Sequence, residues 1–482
     1  MNKEKQQGQY MTPSEIVCLI LNDIGYSGEE ILTKKIIEPS FGNGNFLVEI
    51  IKRIIKEGLK QSIKRTTISQ IISENVYGVE KDINLYKEAI DRLNNLCLDS
   101  NIPIPNWKHL YCEDMLIQYK QFINTFDYCV GNPPFVRVHN MDDKQRIMLS
   151  DFNFTNGTSD LYVVFYEIGI NILKDTGKLG YISPNSFIKN TSQKLFREFL
   201  TENRFISRLY DFKSSKLFAA ADTYTCVCFL DKHNSNSYIL YREYNSYNIL
   251  KETTVDYEYL SGDPWILSDN KDMQFLKKNK KMPKLKDYCE IKNGIATNLD
   301  KAYILPDNNM FPDCDIIKNL CKASSYDGGE LQRIIFPYWI TKDCKRVPIP
   351  ERVFKVEYPE VYLYLSQYKQ ELLKRNMDKT LPWYAYGRNQ GFSAIGTDKI
   401  VFKNIIDKNN LKISPNLLFC DTLVYSGFYI IPKREDDFHK IAQILKSEDF
   451  LRYCLLVGKD MANGYIQITA KMVQEYGMPK NI

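Results

Sequence analysis

From residue 34 to about residue 230, short apolar runs rich in β-branched and aromatic residues alternate with segments whose apolar positions recur at helical spacing. That alternation predicts a βαβ succession built around a mainly parallel sheet. Strands are expected at Lys35 to Ile37, Val76 to Val79, His109 to Tyr111, Tyr128 to Val130, Leu179 to Ile182, Ser207 to Tyr210 and Tyr224 to Leu230. The first strand feeds a helix with Leu47, Ile50, Ile51, Ile54 and Ile55 on one face and Asn45 as its cap. Residues 231 to 270 are polar, Asn/Ser/Tyr-rich and weakly periodic, and read as the passage out of a first domain spanning 1–245. The remainder, 246–482, mixes short strands and helices without a repeat, which predicts a mixed α+β domain.

Composition changes this picture little, but charge changes it at one point. With 44% hydrophobic and 26% charged residues the chain reads as globular. Residues 1–270 carry 30 Lys and Arg against 34 Asp and Glu, whereas residues 271–482 carry 34 against 25. The second half is therefore the part suited to meet a polyanion, set against the plainer reading of a lysine-rich surface. No apolar run reaches the ~18 to 20 residues of a membrane span, and the N-terminus is polar with no signal core, so no membrane partner and a cytoplasmic location are expected. Twelve cysteines lie scattered, and the close pair Cys226 and Cys228 falls on one face of an apolar strand, as reduced core thiols would. The four histidines have no ligand spacing, so neither a metal site nor a Ser-His-Asp triad is expected.

The sharpest chemical signal is Asn132-Pro133-Pro134-Phe135, directly after the buried run Asp127 to Gly131. Open α/β sheets bind ligands at the carboxyl ends of their strands. Two prolines stiffen the turn and remove two backbone donors, leaving carbonyl acceptors. An exocyclic aromatic amine is a poor nucleophile, because its lone pair is delocalised into the ring. The Asn132 side-chain oxygen and the Pro133 carbonyl could accept its two hydrogens, while Phe135 stacks on the ring. The alternative is a plain Pro-Pro turn after a strand.

Between the first strand and its helix lies Glu38-Pro39-Ser40-Phe41-Gly42-Asn43-Gly44-Asn45-Phe46. Gly42 and Gly44 allow close backbone approach to a ligand, but Leu47 stands where a dinucleotide fingerprint wants a third glycine. A carboxylate at Glu38 suits a cationic ligand, such as the sulfonium and amino groups of S-adenosylmethionine. Glu80 ends the second strand where such folds bind ribose hydroxyls. Its distance from Gly44 implies a long helix plus an insertion around residues 58 to 72. Asp114 could accept from a cofactor adenine amino group, with Met115 packing on that ring. Thr12-Pro13-Ser14-Glu15 reads as a capping box with proline at the first helical position.

In this order, the segments resemble the gamma class of amino-methyltransferases, the TaqI-type adenine-N6 DNA methyltransferases, over roughly residues 9 to 230. The resemblance implies a Rossmann-like α/β fold, S-adenosylmethionine as cofactor, and a C-terminal DNA target-recognition domain. It implies cofactor contacts from Thr12, Glu38, Pro39, Ser40, Phe41, Gly42, Gly44, Glu80, Asp114 and Met115. Catalysis falls to Asn132, Pro133, Pro134 and Phe135, where many relatives carry tyrosine at the fourth position. A second aromatic sandwiching the extrahelical base is expected at Phe218, and DNA contacts at Arg388, Asn389 and Gln390. Trp383 to Gln390 joins aromatics to Arg, Asn and Gln, the side chains that read guanine and adenine edges.

The same tetrapeptide also serves enzymes that methylate glutamine side chains or ribosomal RNA amines. About 250 residues follow the catalytic segment and eleven precede Thr12, which favours double-stranded DNA and a separate modification enzyme or a solitary methylase. A separate cognate restriction endonuclease remains an open partner, and a monomer is expected.

Overall fold

The computed structural model describes residues 11–136, 141, 143–154, 160–213, 224–341, 346–378, 380–388, 392, 396–461 and 464–479. The chain divides into two compact units, Met1–Met273 and Gln274–Ile482.

The first unit begins with α1 (Ser14–Asp23) and β1 (Ile36–Glu38), followed by α2 (Asn45–Lys60), α3 (Arg65–Asn75), β2 (Val76–Val79) and α4 (Ile83–Asp99). Then come β3 (Leu110–Tyr111), α5 (Met115–Gln118), β4 (Phe126–Gly131), α6 (Asp143–Leu149), α7 (Leu161–Ile172), β5 (Leu173–Pro184) and α8 (Lys194–Glu202). Four strands close it: β6 (Ile206–Asp211), β7 (Thr225–Asp231), β8 (Tyr238–Asn245) and β9 (Asn248–Asp256). They form one nine-stranded sheet in the order β3-β2-β1-β4-β5-β7-β6-β8-β9. Strands β1 to β5 run parallel, and β7 enters antiparallel between β5 and β6. All seven predicted strands are present, most with ends shifted by one or two residues; β5 is much longer than predicted.

Helices cover both faces of the sheet. On one side α2 buries Phe46, Leu47, Ile50, Ile51, Ile54 and Ile55 in a cluster shared with α1, α3 and α4. On the other, α7 is apolar almost all round and buries eleven of its twelve residues, which suits a helix enclosed by α8, the sheet and the segment after α6. The inferred insertion is α3, packed back on α2 where Gly58 lacks a side chain; a Cβ there would lie 2.8 Å from Ile68 Cγ1.

Three local readings need correction. Asn45 does not cap α2: Gly44 holds the N-cap position in left-handed conformation, φ +84°, with no side-chain cap bond. Thr12 does not form a capping box, since Pro13 is the N-cap residue of α1 and the cap carries no side-chain bond. Residues 231–270 are not a simple passage, because β8 and β9 pair antiparallel and extend the sheet. The expected boundary after residue 245 falls in the turn of that hairpin, and the compact unit runs on to Met273.

Arg197 ties down the turn that follows β5. It is fully buried and faces only carbonyls: Nη1 donates to Phe187 and Asn190 at 2.6 and 2.7 Å, and Nη2 to Gly262 at 2.7 Å. Nε is shared between Gly262 and Asp263 at 3.0 Å. Arg197→Met keeps the bulk and strands buried acceptors, so it should lower stability by about 2 kcal/mol in urea titration. An unchanged unfolding midpoint would show those carbonyls finding other donors.

The second unit is the expected mixture of strands and helices. One sheet joins Cys289–Asn293, Phe428–Pro432, Lys399–Val401 and Asn416–Leu418, and a second joins Gln332–Ile335, Ile317–Lys322 and Leu423–Tyr425. A third comprises Ile405–Asp407, Tyr465–Gln467 and Lys459–Asp460. Among the described residues of either unit, no helix is long and apolar enough to cross a membrane. The cysteines described are free thiols, with Cys226 and Cys228 buried in β7 as read.

Candidate active site

The strand order reverses direction at β1, flanked by β2 on one side and β4 on the other. The crevice beyond their carboxyl ends is the binding position that this topology creates. Glu38 ends β1 and Gly131 ends β4, and a Cβ on Gly131 would lie 3.5 Å from Glu38 Cγ. The two chemical motifs read from the sequence therefore meet at the switch point.

A cleft there is lined by Thr12, Glu38, Ser40, Phe41, Gly42, Glu80, Asn132 and Pro134. The glycine loop is shaped by what it touches. Phe41 lies over β2 because Gly78 has no side chain; a Cβ there would sit 2.7 Å from Phe41 Cδ1. Gly42 and Gly44 adopt positive φ, and the Gly42 N–H donates to Glu80 Oε2 at 2.9 Å. The other Glu80 oxygen accepts from Asp82 N–H at 2.8 Å. Glu80 thus fixes the loop as well as facing the cleft. Burial raises its carboxyl above the ordinary range, and these backbone bonds partly oppose the shift.

Glu38 is 2% exposed, and its Oε2 has no hydrogen-bond partner. Burial, followed by the nearby Glu80 charge, pushes its carboxyl well above the usual range; a backbone bond from Leu47, in the first turn of α2, works the other way. A buried carboxylate with spare accepting capacity fits a cationic ligand. Free volume in the cleft is about 50 Å³. Met11, exposed at the N-terminal wall, is the least packed of the lining side chains.

Thr12 is buried against the cleft, and its carbonyl accepts from Asn45 Nδ2 at 2.9 Å. Asn45 Oδ1 in turn accepts from Arg92 Nη1 at 3.0 Å, so Asn45 links the N-terminal segment to α4 instead of capping α2. Pro39 and Gly44 belong to the same loop but stay behind its surface. Asp114 and Met115 are not brought to the cleft. Asp114 caps α5, accepting from Leu116 N–H at 2.9 Å, and Met115 is 2% exposed within the core under the sheet. Lining residues to which the sequence reading gave no cofactor contact include Asn43 and Phe46, inside the glycine-loop motif, and Leu85. Leu85, in the first turn of α4 just after Glu80, carried a signal in its nearness to the acid.

After Gly131, Asn132 is half-buried, Pro133 buried, and Phe135 packs partly against the apolar cluster of α1 to α4. Leu161 N–H donates to the Val136 carbonyl at 2.9 Å, anchoring the motif's far end to the start of α7. Phe218 lies outside the described residues, as do Asn389 and Gln390. In the second unit Trp383 to Tyr386 are buried in an aromatic core with Tyr303, Phe336 and Tyr338. Arg388 is exposed. The aromatic half of that segment is thus structural, and its arginine is the part open to a partner.

A doubly covered sheet in this strand order, with an acidic glycine loop and Asn-Pro-Pro-Phe at its switch point, is the fold class of the S-adenosylmethionine-dependent methyltransferases. Residues 43–218 match the family of the Eco57I restriction-modification methylase. The type II restriction enzyme and methyltransferase RM.Eco57I of Escherichia coli is 28% identical over 84% of this chain, which spans about half (49%) of that protein's length. The type II methyltransferase M.BstVI of Geobacillus stearothermophilus is 23% identical over 79% of this chain and 74% of its own length. Among solved structures, the type IIL restriction-modification enzyme MmeI, in complex with DNA, shares the fold over 98% of this chain and 69% of its own, with a TM-score of 0.65 at 14% identity.

Proposed function

We propose that the protein transfers a methyl group to the N6 amino group of an adenine rotated out of a double-stranded DNA target, with the second unit selecting the sequence. The observation that carries this reading is Asn132-Pro133-Pro134-Phe135 standing at the carboxyl end of β4 beside the Glu38 cleft. When bound, S-adenosylmethionine supplies an electrophilic methyl group on a sulfonium centre. Glu38 would hold its cationic part, Glu80 its ribose hydroxyls, and Thr12 would close the N-terminal wall. Asn132 Oδ1 and the Pro133 carbonyl accept the two amino hydrogens and orient the nitrogen toward the cleft, and Phe135 stacks on the purine. No side chain is asked for a covalent bond.

The base must leave the duplex, because N6 is otherwise paired and unreachable. The unstacking cost of a few kcal/mol is offset by phosphate contacts from the basic second half and by stacking on Phe135 and Phe218. Asp114 remains a candidate for the cofactor's adenine amino group, since a carboxylate that caps a short helix keeps further accepting capacity. Either a separate cognate endonuclease or a solitary role, with a monomeric state, completes the proposal.

Single-molecule sequencing of DNA from cells expressing the protein, with an Asn132→Ala control, tests the reading. N6-methyladenine at one recurring motif in the wild type alone supports it. Absence from both, with the wild type folded and binding S-adenosylmethionine, transfers the reading to RNA or protein amides. Arg388→Ala should relax target choice or weaken DNA binding with S-adenosylmethionine affinity unchanged; an unaltered methylation motif at unaltered efficiency would return Arg388 to a plain surface role.

A further inference from the structure

The second unit contains a cleft of about 650 Å³ whose chemistry differs from the rest of that basic half. No Lys or Arg is among the residues lining it, and four side-chain amides are: Asn293, Asn298, Asn404 and Gln467. Asn293 and Asn298 are exposed and Gln467 is half-buried, and each amide can make several hydrogen bonds. Asn404 is 5% exposed; its Nδ2 donates to the Ile468 carbonyl at 3.3 Å, while its Oδ1 is buried with no partner. A buried oxygen of this kind takes a donor from ordered water or from a ligand.

The walls are built to keep this cleft open. Gly427 stands before Asn404, and a Cβ there would lie 3.0 Å from Asn404 Oδ1 and 2.6 Å from Ala323 Cβ. Gly294 N–H donates to the Gly427 carbonyl at 2.9 Å, joining the two glycine segments as a floor. Asn298 and Ser426 hold positive φ, 58° and 52°, which turns the chain sharply on either side. The Thr297 carbonyl accepts from Arg375 Nη1 at 2.5 Å and from Gly387 N–H at 3.1 Å. The backbone of exposed Arg388 bridges to Ala296, so the arginine stands at the rim of the amide-lined wall.

We propose that this cleft is a base-reading site, resting on the DNA-methyltransferase reading above, and that Asn298 and Gln467 recognise a nucleobase edge offering one donor and one acceptor, as adenine does. Phosphate is disfavoured there, because cations are absent from the lining and Asp300 contributes a carboxylate. A side-chain amide pairs bidentately with adenine N6 and N7, and each such pair discriminates against the wrong base by about tenfold or more. Arg388 supplies the cation that the cleft itself lacks, suited to a guanine or phosphate beside it.

The test compares wild type with Asn298→Gly, which removes the amide and suits the left-handed backbone, and with Gln467→Ala and Gln467→Glu. Methylated motifs are read by single-molecule sequencing, and discrimination by kcat/KM on duplexes varied one position at a time. The expected result is loss of preference at one position of the motif by about tenfold or more, with Gln467→Glu moving the preference toward cytosine, whose amino group a carboxylate accepts. Unfolding midpoints and S-adenosylmethionine affinity check that each variant is folded. Folded variants that keep the wild-type motif and discrimination overturn the cleft assignment alone. A wild type that methylates no DNA overturns the parent reading, and the cleft assignment with it.

Discussion

Asn132→Ala is expected to lower kcat for DNA methylation by about 10²- to 10³-fold, the range found when one positioned hydrogen-bonding group is removed from a reacting centre. Cofactor affinity should stay near wild type, since the charged and hydroxyl groups of S-adenosylmethionine are assigned to Glu38 and Glu80. The reason lies in the substrate: an aromatic amine gains nucleophilicity only as its hydrogens are drawn out of the ring plane, and the Pro133-Pro134 turn holds the acceptors for that geometry without a backbone donor to compete. Asn132→Asp keeps an acceptor at the same place and should lose less. Single-turnover methylation, with cofactor binding followed by calorimetry, separates the two effects. Wild-type turnover in the alanine variant would remove Asn132 from the chemistry.

The residues that were legible in the sequence are those whose placement is set by a few neighbours. The strands through β7 announce themselves as short β-branched runs, and Asn132 to Phe135 gains its meaning from the buried β4 before it. Glu38 and Glu80 follow from standing at the ends of β1 and just past β2. What failed was decided at longer range. The hairpin of β8 and β9 reads as linker because β9 is an exposed edge, with Tyr247, Ile249 and Leu250 all open to solvent. Only Ile239 and Tyr241 of β8 reach the core of α7 and α8, too faint an alternation to stand out among Asn, Ser and Tyr.

Thr12 shows the same limit at a single residue. Thr12 has the spacing of a capping residue, but Pro13 takes the N-cap position and the Thr12 carbonyl is held by Asn45, which is 33 positions away. Asp114 sits after β3, where an adenine contact would be read, yet its nearest donor is Leu116 N–H in the next turn. Met115, the first residue of α5, is 2% exposed and packs in the core under the sheet. In the second unit, Trp383 to Tyr386 carry the apolar area of an interface but spend it internally: Tyr384 and Tyr386 donate to the Ile349 and Ile335 carbonyls at 2.5 and 2.7 Å.

Glu38→Gln should separate stability from function. The folded-state carboxyl of Glu38 is raised well above its ordinary value by burial and by Glu80. A carboxyl so raised contributes stability that is fully present below the unfolded value and is lost as pH rises through the folded one. Near pH 7 the glutamine variant, which carries no charge to bury, should therefore unfold at a higher temperature than the wild type in the absence of cofactor. The difference should shrink as pH falls into the ordinary carboxylate range. Binding should move oppositely: the cation of S-adenosylmethionine selects the charged carboxylate, so wild-type affinity rises with pH across the titration of Glu38. The variant should bind about 30-fold or more weakly, from the ~2 kcal/mol or greater loss when one member of a buried charge pair is neutralised, and its affinity should be nearly flat with pH. Calorimetric titrations of both proteins from pH 5.5 to about 8.5, paired with thermal unfolding, read both quantities. Equal affinity in the two proteins at neutral pH would mean that the cofactor's charge is met elsewhere, leaving Glu38 as a buried, protonated element of the loop whose hydrogen bond from Leu47 is its whole role.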